Sequence, residues 1–258
     1  MRTVSIANFK GGTGKSTTAV TMAAELTARG RRVLLIDADP QHNATDFCLG
    51  GEDPSPTLTQ VLRGETEPYW PDVVNRTGRE GLDVIGADME LLGLDLAALR
   101  GEGSDAVRRL SGLLDAMRED NAYDFVLIDC PPSFTAASVA ALAVADYVIL
   151  PTKVDRYSVD GVGELVEQLR QIFRGSANAP RHSVLVTMST GTNLAREGEE
   201  LLRAAYAHVF RTVIRSTVKV GESSYARVPV TEYAPRCTAA FDYRDFVTEF
   251  LQEVGNNG

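Results

Sequence analysis

The chain has 258 residues, a hydrophobic fraction of 44% and a formal net charge of −9. The length suits one α/β domain, and no run of about 18 apolar residues predicts a transmembrane helix. The net charge disfavours a protein that coats nucleic acid with its whole surface, but it does not exclude a local basic patch. Three separated cysteines without a CxxC pattern indicate neither a zinc site nor a disulfide framework. The N-terminus is typical of a strand rather than a signal peptide, so we expect a cytoplasmic protein.

Short apolar runs alternate with helical patterns along the chain. We predict strands at 2–7, 33–36, 82–86, 124–128, 146–150, 183–188 and 212–214. We predict helices near 15–29, 88–100, 104–120, 134–144, 159–174, 194–208 and 240–254, and surface loops at 51–57 and 64–72. The alternation predicts an α/β fold with a mainly parallel twisted sheet flanked by helices on both faces. We expect residues 1–258 to form a single domain with a frayed tail at 255–258.

A glycine-rich segment, KGGTGKST, follows the first predicted strand. Its glycines allow the backbone to curl so that N–H groups point at a phosphate, and the start of the next helix adds partial positive charge. Lys15 would reach the β- and γ-phosphates, Ser16 would bind Mg²⁺, and Thr17 would help to hold the α-phosphate. The alternative is a glycine-rich turn without a ligand. The predicted nucleotide-binding residues of this loop are Gly11, Gly12, Thr13, Gly14, Lys15, Ser16 and Thr17.

The loop departs from the strict G-x-x-x-x-G-K pattern, because Phe9 stands where the first glycine belongs and Lys10 follows it. A lysine just outside the loop cannot easily fold back over phosphates that its own loop wraps. It could instead reach the phosphates of a facing subunit, as an arginine finger does, or it could be a solvated loop lysine. The segment resembles the signature of the deviant Walker A ATPases, which include the ParA and MinD proteins. The resemblance implies a homodimer in the ATP state, in which Lys10 contacts the nucleotide of the other subunit.

Carboxylates follow two other predicted strands. Asp37 and Asp39 lie two positions apart and point to the same side of extended chain, at a strand end where parallel sheets bind ligands. Asp39 is therefore a candidate for orienting the attacking water and Asp37 for the outer Mg²⁺ shell, although a plain turn with a helix cap is the alternative. Asp129 ends an apolar strand in the Walker B pattern, in which the acid holds Mg²⁺, usually through water. The family resemblance, through D-x-D-P-Q, implies that Asp39 serves hydrolysis.

The resemblance covers nearly the whole chain, including the segments GLDVIGADMELLGLDLAAL and ADYVILPTKVDRYSVDGVGELVEQL. Without a long N-terminal extension, the chain resembles the compact ParA type, which lacks a helix-turn-helix domain. The acidic C-terminal segment FDYRDFVTEFLQEVGNNG is wrong for an anionic lipid surface, so we expect no membrane partner. Met188 and Arg215 lie near strand ends that could flank an adenine ring.

Residues 208–236 carry five basic and two acidic side chains within a negative chain. This local excess suits salt-sensitive binding to DNA phosphates, although scattered solvated charge is the alternative. The resemblance implies that Lys219 occupies a DNA-binding position, whereas Gly191 occupies a second one, for which Arg196 could substitute. The predicted DNA-binding residues are Arg196, Arg211, Arg215, Lys219 and Arg227.

Our leading hypothesis is a Mg²⁺-dependent ATPase that dimerises with ATP, binds nonspecific double-stranded DNA and positions a plasmid, chromosome or similar cargo. The resemblance implies a nucleoid-associated protein whose slow hydrolysis is stimulated by a ParB-like centromere-binding partner. One alternative is a positioning ATPase that uses a protein or membrane cargo without DNA. Another is a metabolic synthetase of the same P-loop branch, which would need a substrate pocket beside the γ-phosphate.

Overall fold

The computed structural model describes residues 1–66, 69–99, 105–155, 158–173 and 179–255, and within them eight strands form one sheet. The strands are β1 (Arg2–Ile6), β2 (Val33–Asp37), β3 (Asn75–Arg76), β4 (Leu82–Ile85), β5 (Phe125–Asp129), β6 (Tyr147–Lys153), β7 (Arg181–Ser189) and β8 (Val209–Arg215). The helices are α1 (Lys15–Ala28), α2 (Asn43–Leu49), α3 (Leu58–Arg63), α4 (Trp70–Val73), α5 (Leu91–Leu99), α6 (Ala106–Glu119), α7 (Ala136–Ala143), α8 (Ser158–Ile172), α9 (Asn193–Ala205), α10 (Val218–Tyr225), α11 (Val230–Tyr233) and α12 (Thr238–Gly255).

The sheet has the strand order β3-β4-β2-β5-β1-β6-β7-β8. The pairs between β4 and β8 in this order are parallel, and β3 pairs with β4 in the antiparallel direction. The central strand β1 lies between β5 and β6, and β2 lies on the other side of β5. The carboxyl ends of β1, β5 and β2 therefore meet at one edge of the sheet.

Each face of the sheet packs against its own apolar core. Leu34 and Ile36 of β2 belong to the core that includes buried residues of α6 and α7, whereas Leu35 of the same strand belongs to the core that includes α1 and α12. Successive side chains of a strand point to opposite faces, so a strand covered on both faces must be apolar throughout. The α/β fold with helices on both faces is thus confirmed. In the described part of the chain, no helix is long and apolar enough to cross a bilayer.

The sequence analysis did not predict the short helices and strands, and it misplaced the ends of some longer ones. It did not predict β3, α2, α3, α4, α10 or α11, and α4 begins inside the predicted loop 64–72. Helices of four to eight residues contain too few turns for a periodic pattern, and local capping bonds such as the Thr57–Gln60 capping box of α3 define them instead. The predicted helix 194–208 ends at Ala205, because β8 begins at Val209. Within the predicted tail, Gly255 is helical and 256–258 lie outside the described residues, as does the end of the predicted helix 159–174.

We predict that Gly86→Ala lowers the free energy of unfolding by about 1–3 kcal/mol, because overpacking forces neighbouring atoms apart. A Cβ atom at Gly86 would lie 2.6 Å from the Cβ of Pro54 and 2.8 Å from the Cγ2 of Thr45. Gly112, in α6, is the matched control, since a Cβ there meets nothing within 4 Å. Gly112→Ala should raise the free energy of unfolding by roughly 0.5–1 kcal/mol through helix propensity. Urea denaturation measures both, and a Gly86→Ala variant as stable as the wild type would contradict this packing.

Candidate functional site

A cavity of about 510 Å³ lies at the carboxyl edge of the sheet. Residues 11–17 form one side of it, and Asp39, Pro132 and Met188 also line it. This volume is within the range of small-molecule sites in proteins, which is roughly 300–1,000 Å³. The cavity therefore brings the glycine-rich loop and part of the predicted carboxylate motifs to one place.

The backbone of the glycine-rich loop leaves the N-terminus of α1 open to a ligand. Gly12 and Gly14 have φ angles of 69° and 87°, a left-handed conformation that favours glycine. Gly14 is the N-cap of α1, and it has no side chain that could accept a hydrogen bond from the first turn of this helix. The free N–H groups and the positive end of the helix dipole consequently form an anion site at the cavity wall.

Neighbouring strands hold the loop in this shape. The Asn8 side chain accepts a hydrogen bond from the Lys10 backbone N–H (2.9 Å) and donates one to the Pro151 carbonyl (2.8 Å) at the end of β6. On the other side, the Thr187 hydroxyl of β7 donates to the Thr13 carbonyl (2.8 Å). These bonds hold the start and the middle of the loop in place, which lowers the entropy cost of binding.

Lys15 is a buried cation in this cavity. Lys15 is 7% exposed, and its Nζ donates a hydrogen bond to the Lys10 carbonyl oxygen at 3.2 Å. Burial lowers the pKa of Lys15, and the nearby carboxylates of Asp129 and Asp39 oppose that shift. The lysine is thus placed to bind an anion together with the loop N–H groups.

Asp129 is a buried carboxylate without a hydrogen-bond partner. It is 0% exposed, and neither carboxylate oxygen has a partner among the described residues. Burial and the negative charge of Asp37, which is its register partner on β2, raise the pKa of Asp129 well above the usual value. The nearby Ser16 hydroxyl and Lys15 ammonium oppose this shift, although the Ser16 hydroxyl does not meet hydrogen-bond geometry. A buried carboxyl group in this state is stabilised by a proton or by a cation. The structure therefore offers a cation position beside the loop.

The residues at this position fit Mg²⁺ bound together with a nucleotide. The described residues contain no cluster of three or more His, Cys, Asp or Glu side chains that would hold a metal ion alone. Mg²⁺ is usually bound by one or two carboxylates, waters and substrate phosphates rather than by an all-protein cage. The Ser16 hydroxyl and the Asp129 carboxylate supply the protein groups that such a site requires.

Asp37 and Asp39 occupy different environments. The Oδ2 of Asp37 accepts hydrogen bonds from the backbone N–H and hydroxyl of Thr45 (2.8 Å each), and its Oδ1 accepts from the Asp39 N–H (3.1 Å). Burial raises the pKa of Asp37 to about 6 despite these bonds. Asp37 therefore attaches α2 to the strand end, and its place in the outer Mg²⁺ shell stays a prediction. Asp39 lines the cavity, and its Oδ1 accepts from the Gln41 N–H at 2.9 Å.

Lys10 lies outside the cavity lining in the described part of the chain, unlike the seven loop residues that follow it. Its ammonium group forms an ion pair with Asp155, just after β6, and both side chains are partly exposed, at 41% and 35%. Lys10 is therefore available at the surface once this pair is broken. Its action on the nucleotide of a second subunit stays a prediction.

The two candidates for contact with the adenine base lie in different places. Met188 lines the cavity, and a Cβ atom on Gly14 would lie 3.6 Å from its Cε. Arg215 is not among the described lining residues, since its guanidinium group binds both oxygens of Asp242 at 2.6–3.1 Å. The structure thus corrects the placement of Arg215 beside the base.

The candidate DNA residues do not form an unpaired basic patch. Arg211 pairs with Glu249, Arg215 with Asp242 and Lys219 with Glu222. The sequence count for 208–236 omitted α12, whose four carboxylates and one arginine carry a net charge of −3 and so balance the net excess of three positive charges. The omitted arginine is Arg244, and the omitted carboxylates, two of which pair with arginines of β8, are those of Asp242, Asp245, Glu249 and Glu253.

The other two DNA candidates lie in different surroundings. Arg196 donates to the Gly191 carbonyl oxygen at 3.2 Å and is exposed. Arg227 lines the cavity instead of joining the residues of β8. A contact of Arg227 with DNA stays a prediction.

The sequence missed the far wall of the cavity. This wall contains Asp46 and Phe47 of α2, and Ser223, Ser224, Pro229 and Val230 around the connection between α10 and α11. The α2 residues were detectable, because they follow the DADPQ motif by only a few positions. The α10–α11 connection carries no motif, and only the tertiary fold brings it to the loop.

The glycine loop between β1 and α1, at the carboxyl edge of a parallel sheet, defines a P-loop nucleotide-binding protein. A family model described as an AAA domain matches residues 1–179. The chromosome partitioning protein ParA of Caulobacter vibrioides is 36% identical over 97% of this chain and 94% of its own. The chain belongs to the ParA family of partitioning ATPases.

Solved structures show the same fold. Apo McdA of Cyanothece superposes with a TM-score of 0.84 at 25% identity, over 97% of this chain and 99% of its own. Cobyrinic acid a,c-diamide synthase of Mycobacterium smegmatis, with a bound ATP analogue and magnesium, has a TM-score of 0.80 at 28% identity, over 100% and 97% of the two chains. The fold is thus common to McdA and to a synthase, so residues beyond the fold must decide the function.

We predict that Asp129→Asn stabilises the protein in the absence of nucleotide and Mg²⁺, by about 1–3 kcal/mol at pH 8, because the amide removes an unpaired buried charge. The folded-state pKa of Asp129 exceeds the unfolded value of about 3.9, so protonation favours the folded state. The advantage of the variant should therefore grow as the pH rises from about 4 through the folded-state pKa. Urea denaturation at several pH values measures this effect.

The control is Asp115→Asn, which removes an exposed carboxylate paired with Arg118 and should change the free energy of unfolding by less than about 0.5 kcal/mol. A destabilised Asp129→Asn variant at pH 8 would contradict the unpaired state of this carboxylate.

Proposed function

We propose that the protein is a Mg²⁺-dependent ATPase that forms a homodimer with ATP and positions a plasmid, chromosome or similar cargo. The observation that carries the proposal is the buried, unpartnered carboxylate of Asp129 beside Lys15 and the open N-terminus of α1. A nucleotide with its metal ion would supply the anion and the cation that these groups lack. Membership of the ParA family supports the same reading.

Each residue of the site has a role in this proposal. The N–H groups of residues 11–17 and the Lys15 ammonium bind the phosphates, and Thr17 holds the α-phosphate. Mg²⁺, held by Ser16 and by Asp129 through water, would neutralise charge on the phosphate oxygens. Asp39 orients the water that attacks the γ-phosphate, and Met188 flanks the base. The single chain leaves this site open, so hydrolysis without a partner is slow.

Dimerisation completes the site. In one chain, Lys10 is held by Asp155. When two ATP-bound subunits face each other, the phosphates of the partner offer a stronger anionic binding partner than one partly exposed carboxylate. Lys10 then leaves Asp155 and stabilises the charge of the other subunit's nucleotide. ATP thereby controls the dimer, and hydrolysis releases it.

We extend the proposal to nonspecific double-stranded DNA and to a ParB-like partner that stimulates hydrolysis, which would associate the protein with the nucleoid. Two features support this extension. The chain belongs to the ParA family, and the arginines of β8 could exchange their carboxylate partners for DNA phosphates. Because Arg211 and Arg215 are already paired with Glu249 and Asp242, we expect the affinity for DNA to be low at high salt.

We predict that Lys15→Ala abolishes nucleotide binding, because it removes the buried cation that contacts the phosphates. Asp39→Ala should bind ATP normally but lose hydrolysis, so that the dimer accumulates. Calorimetric titration with ATP and light scattering after gel filtration measure these results. Normal ATP affinity in Lys15→Ala would overturn the P-loop assignment, and normal turnover in Asp39→Ala would assign water positioning to another group.

A second prediction concerns DNA. With ATP and Mg²⁺, the Asp39→Ala dimer should bind nonspecific duplex DNA, and binding should weaken steeply between low and moderate salt. Arg211→Ala and Arg215→Ala should reduce this binding, whereas Arg170→Ala, an exposed arginine of α8 paired with Glu167, is the matched control. Fluorescence anisotropy with ATP, with ADP and without nucleotide gives the measurement.

One observation favours a second candidate, a positioning ATPase that uses protein cargo without DNA. The carboxylates of α12 neutralise the basic residues of β8, so this surface does not attract a polyanion as the sequence alone suggests. Dimerisation with ATP but no DNA binding in any nucleotide state would select this candidate.

A further inference from the structure

Arg227 adopts a backbone conformation that favours glycine. Its φ angle is +53°, directly after α10. The Arg227 N–H donates to the Ser224 carbonyl (3.2 Å) and the Val228 N–H to the Ser223 carbonyl (3.0 Å), which is the hydrogen-bond pattern of a Schellman helix end. The left-handed residue of this motif is usually glycine, since any Cβ atom there adds strain. An arginine at this position therefore needs an explanation in its side chain.

The side chain of Arg227 reaches the end of α2. Its Nη1 donates to the Gly50 carbonyl oxygen at 2.5 Å, and its Nη2 lies 3.8 Å from the Oδ2 of Asp46. Gly51 leaves room for this contact, because a Cβ atom there would lie 2.7 Å from Nη1. The guanidinium group thus joins two segments that are separated by about 180 positions in the sequence.

This contact spans the rim of the cavity. Asp46 and Arg227 both line the cavity, yet their side chains are 40% and 46% exposed. They therefore lie where the cavity meets solvent, one on the wall formed by α2 and the other on the wall formed by the α10–α11 connection. The contact therefore opposes separation of these two walls.

The α2 wall is also attached to the carboxylate motif. Thr45 of α2 donates two hydrogen bonds to Asp37, and Asp39 follows two residues later on the cavity side. A bond from Arg227 to the end of α2 consequently restrains the segment that carries Asp39.

We propose that Arg227 is a clasp residue, which closes the rim of the cavity over a bound nucleotide and slows its release. This inference rests on the proposed function, since it requires that the cavity hold a nucleotide. Arg227 acts through the α2 wall and is a positioning residue. The strain of its backbone is retained because glycine, which fits the helix end better, would leave the rim open.

The test is the dissociation rate of a fluorescent ADP derivative, mant-ADP, from the full chain with Mg²⁺, measured by stopped-flow chase with excess ADP. Arg227→Gly should release mant-ADP about fivefold to tenfold faster, as expected for the loss of one partly exposed charge-assisted hydrogen bond. Arg227→Lys should give an intermediate rate, because one ammonium replaces a planar fork of donors. Tyr225→Ala, a change at a 94% exposed residue of α10, is the control and should keep the wild-type rate.

Arg227→Gly should also fold at least as well as the wild type, because glycine suits a positive φ angle, so a fast release cannot be attributed to unfolding. A thermal melt without nucleotide checks this point. Unchanged mant-ADP release from Arg227→Gly overturns the clasp, and weaker DNA binding at an unchanged release rate would return Arg227 to the DNA surface. If the wild type does not bind mant-ADP, the proposed function itself fails, and the clasp fails with it.

Discussion

The buried carboxyl group of Asp129, which has no hydrogen-bond partner among the described residues, is the constraint on which the site depends. The strand order β2-β5-β1 places this carboxylate in the centre of the sheet edge, beside Asp37 and next to the loop that follows β1. Because the group is fully buried, water cannot solvate it, and only a proton or a cation can stabilise it. The fold thereby maintains a position that costs stability in the empty protein and gains stability when a metal–nucleotide pair binds.

The elements on the two sides of the cavity have different roles. The bonds of Asn8 and Thr187 fix the P-loop to β6 and β7, so the phosphate side of the cavity is rigid. The opposite side consists of α2 and the α10–α11 connection, which meet through Arg227 and Gly50. A rigid phosphate side with a rim that depends on one contact suits a protein that must hold a nucleotide for a time and then release it.

The long strands, the main helices, the P-loop and the motif acids were predictable, because each depends on local pattern and spacing. The far wall of the cavity was not, since Ser223 and Pro229 reach the loop only through the tertiary fold. The charge of the predicted DNA surface was misjudged for the same reason: Glu249 and Asp242 lie beyond the counted segment but pack against β8. Arg227 carried no local signal either, as its sequence neighbours do not reveal a left-handed helix end.

The most direct measurement is the calorimetric affinity of a non-hydrolysable ATP analogue for the wild type and for Asp129→Asn, with Mg²⁺ and with EDTA. The account predicts that Mg²⁺ tightens binding to the wild type about tenfold or more and has little effect on the variant, because the buried carboxylate provides the protein charge that holds the ion. Equal affinity with and without Mg²⁺ in the wild type, or full Mg²⁺ dependence in Asp129→Asn, would contradict the central role of this carboxylate.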